Sequence, residues 1–246
     1  PRFGPSIPLL FALITLAVYT LTRIALALWT GRDAVPLAAW PVVLLEGLWF
    51  DLVVLTALLV PVWIYEAVLP DHWRASRTHR VLRFTWLAFV LFVLLFGAVA
   101  EATFWLEFAT RFNFIAVDYL LYTHEVIGNI RESYPVPWIL TGLALAALAI
   151  AFFMRGWLRH ADARPPSRRR RLAYVAAALA LPALALMIAS VDQMGRIGNA
   201  YADELAGNGL FTFAAAMRRN ELDYDRFYPT IPQEDADRIL AGLGVE

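Results

Sequence analysis

Seven side chains stand where chemistry is costly or close to it: Arg23, Glu46, Asp51, Glu101, Glu107, Arg111 and Asn113. Six are ionisable and fall within or at the edge of long apolar runs, where a charge has to be paired, solvated or functional. Glu46 and Asp51 are about 140° apart around a helix, so they cannot both face one partner squarely. Glu101 and Glu107 are about 120° apart, whereas Glu107 and Arg111 have the i,i+4 spacing that lets opposite charges pair.

These residue types support two kinds of work. The arginines can neutralise the acids and fix helix packing. Alternatively, the group forms a polar vestibule in which arginine binds a lipid phosphate while acids and amides hold headgroup hydroxyls. A proton or ion pathway fits less well, because Glu66, beside Pro61, is the only acid expected in the inner half of the spans. Enzymatic constellations are missing from the chain. It has no cysteine, which removes thiolate metal sites and disulfides. All 21 basic residues are arginine, which removes Schiff-base chemistry. His72, His79, His160 and His124 are scattered without metal-ligand spacing and are expected as solvated loop residues. There is no nucleophile elbow and no glycine-rich phosphate loop.

The elements that must position these residues are membrane helices. With 60% hydrophobic and only 17% charged residues, the 246-residue chain has the composition of a polytopic membrane protein. Five stretches are long enough to cross a hydrocarbon core of ~30 Å: residues 7–29, 41–69, 81–108, 136–154 and 172–191. The first lacks the charged leader of a signal peptide and counts as a span. No fixed-period repeat is visible.

Positive residues are retained on the cytoplasmic side. Arg74, Arg77, Arg80 and Arg83 lie between spans two and three, and Arg155, Arg159, Arg164 and Arg168 to Arg171 between spans four and five. The first and third connections carry few arginines, offset by acids. An N-in/C-out orientation follows, with the arginine run as a topology determinant rather than a nucleic-acid patch. The third connection, 112–134, alternates apolar Phe114, Val117, Leu121, Ile127 and Ile130 with polar residues near helical spacing, which predicts an interfacial helix. After span five, residues 192–246 form a short exterior linker. Tyr201 to Arg219 reads as helix around a Gly207-Asn208-Gly209 break, and Pro232 starts a second helix. Nothing in this tail is expected to form an independent core. The oligomeric state is not legible, although Ala144 to Ala151 and Ala176 to Ala180 could pack closely.

Three stretches then resemble a known family. Gly47-Leu48-Trp49-Phe50-Asp51-Leu52 is similar to the second-span motif of the lipoteichoic acid synthase family, which usually has arginine where Trp49 stands. Glu107-Phe108 with Arg111 to Tyr122, then Glu125 to Ile130 and Ser133-Tyr134-Pro135, resembles that family's outer connection. Asn208-Gly209, Asn220 to Tyr224 and Phe227-Tyr228 are similar to its linker.

The resemblance implies an all-α, five-span domain of a phosphoglycerol transferase in the bacterial cytoplasmic membrane. Its partners would be phosphatidylglycerol and the protein's own exterior sulfatase-like catalytic domain, expected beyond Glu246. That domain would carry the threonine nucleophile and a divalent metal, usually manganese, so no catalytic or metal residue is carried over to this chain. The seven residues named above are the expected headgroup-positioning set. The alternatives are a phosphoethanolamine transferase membrane domain, a non-catalytic anchor or assembly module, and a small channel or transporter.

Overall fold

The structure, a computed structural model, describes residues 6–162, 165–219 and 242. Five of its helices are long and apolar enough to cross a membrane. They are α1 (Ile7–Thr30), α2 (Trp40–Val68), α4 (Arg77–Phe108), α7 (Val136–Asp162) and α8 (Arg168–Ile188). A short α3 (Asp71–Arg74) joins α2 to α4, and α5 (Phe114–Leu121) and α6 (Thr123–Ser133) join α4 to α7. Two further helices, α9 (Ala200–Ala206) and α10 (Gly209–Arg219), come after α8. Among the described residues there is no strand.

Local chemistry explains where these helices begin and end. Ser6, Ser76 and Ser167 each accept a backbone N–H from the first turn of α1, α4 and α8 respectively, which satisfies an orphan donor. Gly31, at φ 91, closes α1 in a conformation that favours glycine. Ala109 ends α4 with φ 54, a left-handed position that costs an L-residue roughly 1–2 kcal/mol.

Four predicted boundaries shift by three residues or more, one of them the start of the fifth long helix, at Arg168 rather than residue 172. The third long helix starts at Arg77 and the fourth runs on to Asp162, because arginine side chains extend a helix past its apolar run. The fifth stops at Ile188, and Val191 lies instead in a 3-10 turn over Val191–Gln193. The third connection is two helices broken at Tyr122 rather than one. The predicted helix at Pro232 lies outside the described residues.

In the bundle, α1 packs against both α2 and α4, with α8 on the far side of α2 and α7 against α4. One core cluster joins Leu10, Phe11, Leu59, Leu87, Leu91 and Ala151 from four of these helices. A second, at the opposite end, joins Leu26, Val43 and Trp105 to Ala202 and Leu205 of α9.

The two ends differ in character. At the end holding Ser6 and the arginine-rich connections, Arg74 forms a buried pair with Glu66 at 2.9 Å, and Arg171 donates to the carbonyls of Ala67 and Leu69 and to Asp71. Here His79 departs from expectation: it is buried in the first turn of α4, with Nδ1 2.9 Å from the Tyr65 hydroxyl. Arg74 and Arg83 are likewise buried, whereas Arg77 and Arg80 are exposed. The reason is geometric: α4 begins earlier than its apolar run and carries His79 and Arg83 into the bundle, while Arg74, at the end of α3, turns inward to Glu66. The first and third connections and the segment after α8 gather at the other end, where Asn199 donates to the carbonyl of Ala34.

Candidate functional site: a hairpin held by two buried arginines

Arg23 lies two turns inside the end of α1, roughly 10 Å from it at 1.5 Å per residue. Its side chain is fully buried. Asp51 projects from α2 and receives both terminal nitrogens of Arg23, at 2.7 and 2.8 Å, the two-point geometry that suits a guanidinium to a carboxylate. The remaining donors of Arg23 turn to backbone: Nε reaches the carbonyl of Leu205 at 2.8 Å, and Nη2 reaches those of Gly47 and Gly207, each at 3.1 Å.

Arg111 repeats the pattern from another direction. It comes just after the end of α4, where the left-handed turn at Ala109 sends the chain back towards the bundle. The predicted i,i+4 partner Glu107 cannot serve it, because the helix has ended and Glu107 is exposed. Arg111 instead pairs with buried Glu101. Its Nη2 donates to the carbonyl of Leu205 at 3.1 Å and its Nε to that of Glu204 at 3.3 Å, while its backbone N–H donates to the Glu204 carboxylate at 2.9 Å.

One carbonyl oxygen, that of Leu205, therefore accepts from both arginines. A helix leaves its last carbonyls without intrahelical partners, and its C-terminus carries partial negative charge. The end of α9 is buried with Ala202, Leu205 and Ala206 wholly enclosed, so these carbonyls have no water to turn to. The arginines supply the missing donors and the matching charge. Asn208 holds the turn: its Nδ2 donates to Asp51 at 2.8 Å, and its Oδ1 accepts the N–H groups of Leu210 and Phe211 to start α10. The segment packs as α9 against α1 and α2, turns beside Glu101 and continues as α10 against α2 and α5. This helix–turn–helix segment is called the hairpin below.

Apolar and exposed contacts complete the hold on α10. The rings of Phe211 and Phe50 are 5.0 Å apart, and Phe213 meets Phe112 edge-on at 6.3 Å. Arg219, at the end of α10, pairs at 3.3 Å with Asp192 just after α8. The Ser190 hydroxyl first, and then Arg219, hold the Asp192 carboxyl below its ordinary value. Both members of that pair are largely solvated, so it is a weak tie.

Of the seven predicted residues, the structure gathers four into this cluster: Arg23, Asp51, Glu101 and Arg111. Asn113 serves as the cap of α5, accepting the Ile115 N–H and donating to the Thr110 hydroxyl. Glu46 is half-buried with a shielded Oε2 that has no hydrogen-bond partner, and Glu107 faces outward. Among the described residues no group of three His, Asp or Glu side chains is arranged to hold a metal ion. Residues that the sequence left unmarked are Glu204 and Leu205, and Gly47 was marked only as part of the second-span motif. Their parts are played largely by backbone carbonyls, which have no sequence signature, although the Gly207-Asn208-Gly209 break does mark the turn. No protein-family model matches this chain, and no solved structure matches it.

Proposed function

We propose that this chain is the membrane domain of a phosphoglycerol transferase of the lipoteichoic acid synthase type, holding an exterior catalytic head where its lipid donor lies. The observation that carries this reading is the pair of buried arginines clamping the segment after the fifth long helix. A chain that needed only an anchor would gain nothing from burying two ion pairs to order its exit, since desolvating each charge is costly.

The arginine-rich connections share the opposite end with Ser6, in keeping with an N-in/C-out domain of a bacterial cytoplasmic membrane. The amphipathic α6, none of whose residues is buried in the protein, then lies in the outer interface with Ile127 and Ile130 toward lipid. In this reading Arg23, Asp51, Glu101 and Arg111 act by holding the hairpin, Asn113 by starting α5, Glu107 is the acid open to headgroup hydroxyls, and Glu46 is a half-buried acid beside them. The divalent ion implied by the resemblance has no seat among the described residues and belongs with the head.

A second reading, a non-catalytic anchor or assembly module, draws on the fact that the clamp's donors already have protein acceptors. The deciding experiment uses the full reading frame that contains this chain, in vesicles carrying headgroup-labelled phosphatidylglycerol or phosphatidylethanolamine, with manganese and a glycan acceptor. The expected result is diacylglycerol release and labelled acceptor with phosphatidylglycerol alone. Turnover of phosphatidylethanolamine instead would assign the related transferase class, and turnover of neither lipid would leave the anchor module.

A further inference from the structure

We infer that the α9–α10 hairpin is a rigid mount, with Arg23 and Arg111 as positioning residues that fix where and in what direction the chain leaves the bundle. The inference rests on the transferase reading for its catalytic consequence, but its structural content stands by itself.

A flexible tether and a mount make different demands on a sequence. A tether needs only solvated, turn-rich residues, and it raises the effective concentration of whatever it carries. A mount needs contacts that over-determine one placement. The hairpin has such contacts from independent elements. Arg23 comes from α1 and is locked by Asp51 of α2, whereas Arg111 lies just past α4 and is locked by Glu101 of that helix. Both guanidiniums meet on the Leu205 carbonyl and Asn208 donates to Asp51, so displacing the hairpin breaks bonds to α1, to α2 and to the connection after α4 at once. The aromatic pairs on Phe50 and Phe112 then set the direction of α10 from two sides. Steric fit adds a further restriction: a Cβ at Gly209 would strike the Glu101 carboxylate, and one at Gly47 would strike the Arg23 guanidinium.

A fixed exit confers orientation as well as proximity. A head carried on it meets the outer leaflet at one height and angle, so the cost of aligning it is already met when the donor lipid arrives. Loosening the mount is then expected to lower kcat while leaving donor KM nearly unchanged.

Because these 246 residues contain no cysteine, thiols introduced among them meet no background from this domain, and any cysteine elsewhere in the full-length protein is first replaced by serine. In the full-length protein in lipid nanodiscs, spin labels at Leu28→Cys on α1 and Leu210→Cys on α10, both exposed positions, read the placement of the hairpin. The expected result is a single narrow distance distribution that broadens in Arg23→Gln/Arg111→Gln. A second pair, Val68→Cys and Leu172→Cys, exposed at the opposite end, is expected to stay unchanged and so reports an intact bundle. Should that control pair broaden too, Arg111→Lys decides: it keeps a charge beside Glu101 but loses the planar fork that reaches Leu205. A broad distribution in the parent, or a narrow one retained in the variants, overturns the mount. In the same preparations kcat is expected to fall by about tenfold or more with KM little changed, since small misplacements are costly to rate. Broadened distances with undiminished kcat would overturn the positioning role. A parent that turns over no lipid would remove the transferase reading, while the distances would still decide the mount.

Discussion

Replacing Arg23 by methionine together with Asp51 by leucine is expected to leave the long helices inserted but to free the hairpin. Buried ion pairs are often exchanged for apolar side chains of similar size with little loss, because the desolvation cost disappears along with the attraction. That compensation fails here, since the pair has other obligations. Without Arg23, the Gly207 carbonyl loses the guanidinium that donates to it and Leu205 keeps only Arg111; without Asp51, the Asn208 amide loses its acceptor. Each polar group left buried without a partner costs roughly 1–3 kcal/mol. The single change Asp51→Ala is worse in another way, because it strands a buried guanidinium, at roughly 3–5 kcal/mol. The readout is a thiol at Ala202→Cys, a fully buried position on α9. It is expected to resist a membrane-impermeant maleimide in the parent and to react in the double variant. Continued protection, with thermal stability equal to the parent, would show that the hairpin does not depend on this pair.

The second large effect comes from adding a single methyl group. Gly47→Ala places a Cβ against the Arg23 guanidinium, and Gly209→Ala places one against the Glu101 carboxylate. Neither glycine has a positive φ, so the requirement is close approach rather than backbone freedom. Overpacking of this kind costs roughly 1–3 kcal/mol, and the atoms that would have to yield are those holding the hairpin. Gly97 in α4 is the natural contrast, because a Cβ there meets nothing within 4 Å. Gly97→Ala is expected to be neutral or to stabilise by up to about 1 kcal/mol, as alanine is the better helix former. Thermal unfolding of the three variants, with Ala202→Cys labelling, separates the effects. Equal behaviour at all three positions would mean that the glycines merely break the helix.

Much of the architecture was legible because long apolar runs have few alternatives. The five long helices follow from length and hydropathy, and errors at their ends arise where arginine continues a helix beyond its apolar stretch or, after Ile188, where the chain breaks into a 3-10 turn. The buried cluster was half legible. Arg23 and Asp51 stand out as charges in apolar surroundings, and the angular separation of Glu46 from Asp51 agrees with only Asp51 reaching Arg23. Local spacing misled at Arg111. The i,i+4 relation to Glu107 suggests a pair, but the left-handed turn at Ala109 breaks the periodicity on which it depends. His79 misled for a related reason, since a short connection near arginines looks solvated until the helix start is known.

The docking of the tail could not be read at all. Its decisive acceptors are the carbonyls of Leu205 and Gly207, which every residue possesses, and the contacts join positions far apart in the chain. The three-residue Gly207-Asn208-Gly209 break was visible as a turn. Its depth inside the bundle was not, because that depends on Arg23 and Arg111 converging from different elements.

In the proposed orientation the clamp is expected on the exterior side of the membrane, where a headgroup donor would be met. Side-specific labelling tests this most directly. In intact cells, an impermeant maleimide is expected to label Arg196→Cys, an exposed position just before α9, and to label Arg169→Cys, exposed in the first turn of α8, only after permeabilisation. The opposite pattern would put the clamp on the cytoplasmic side and contradict the account.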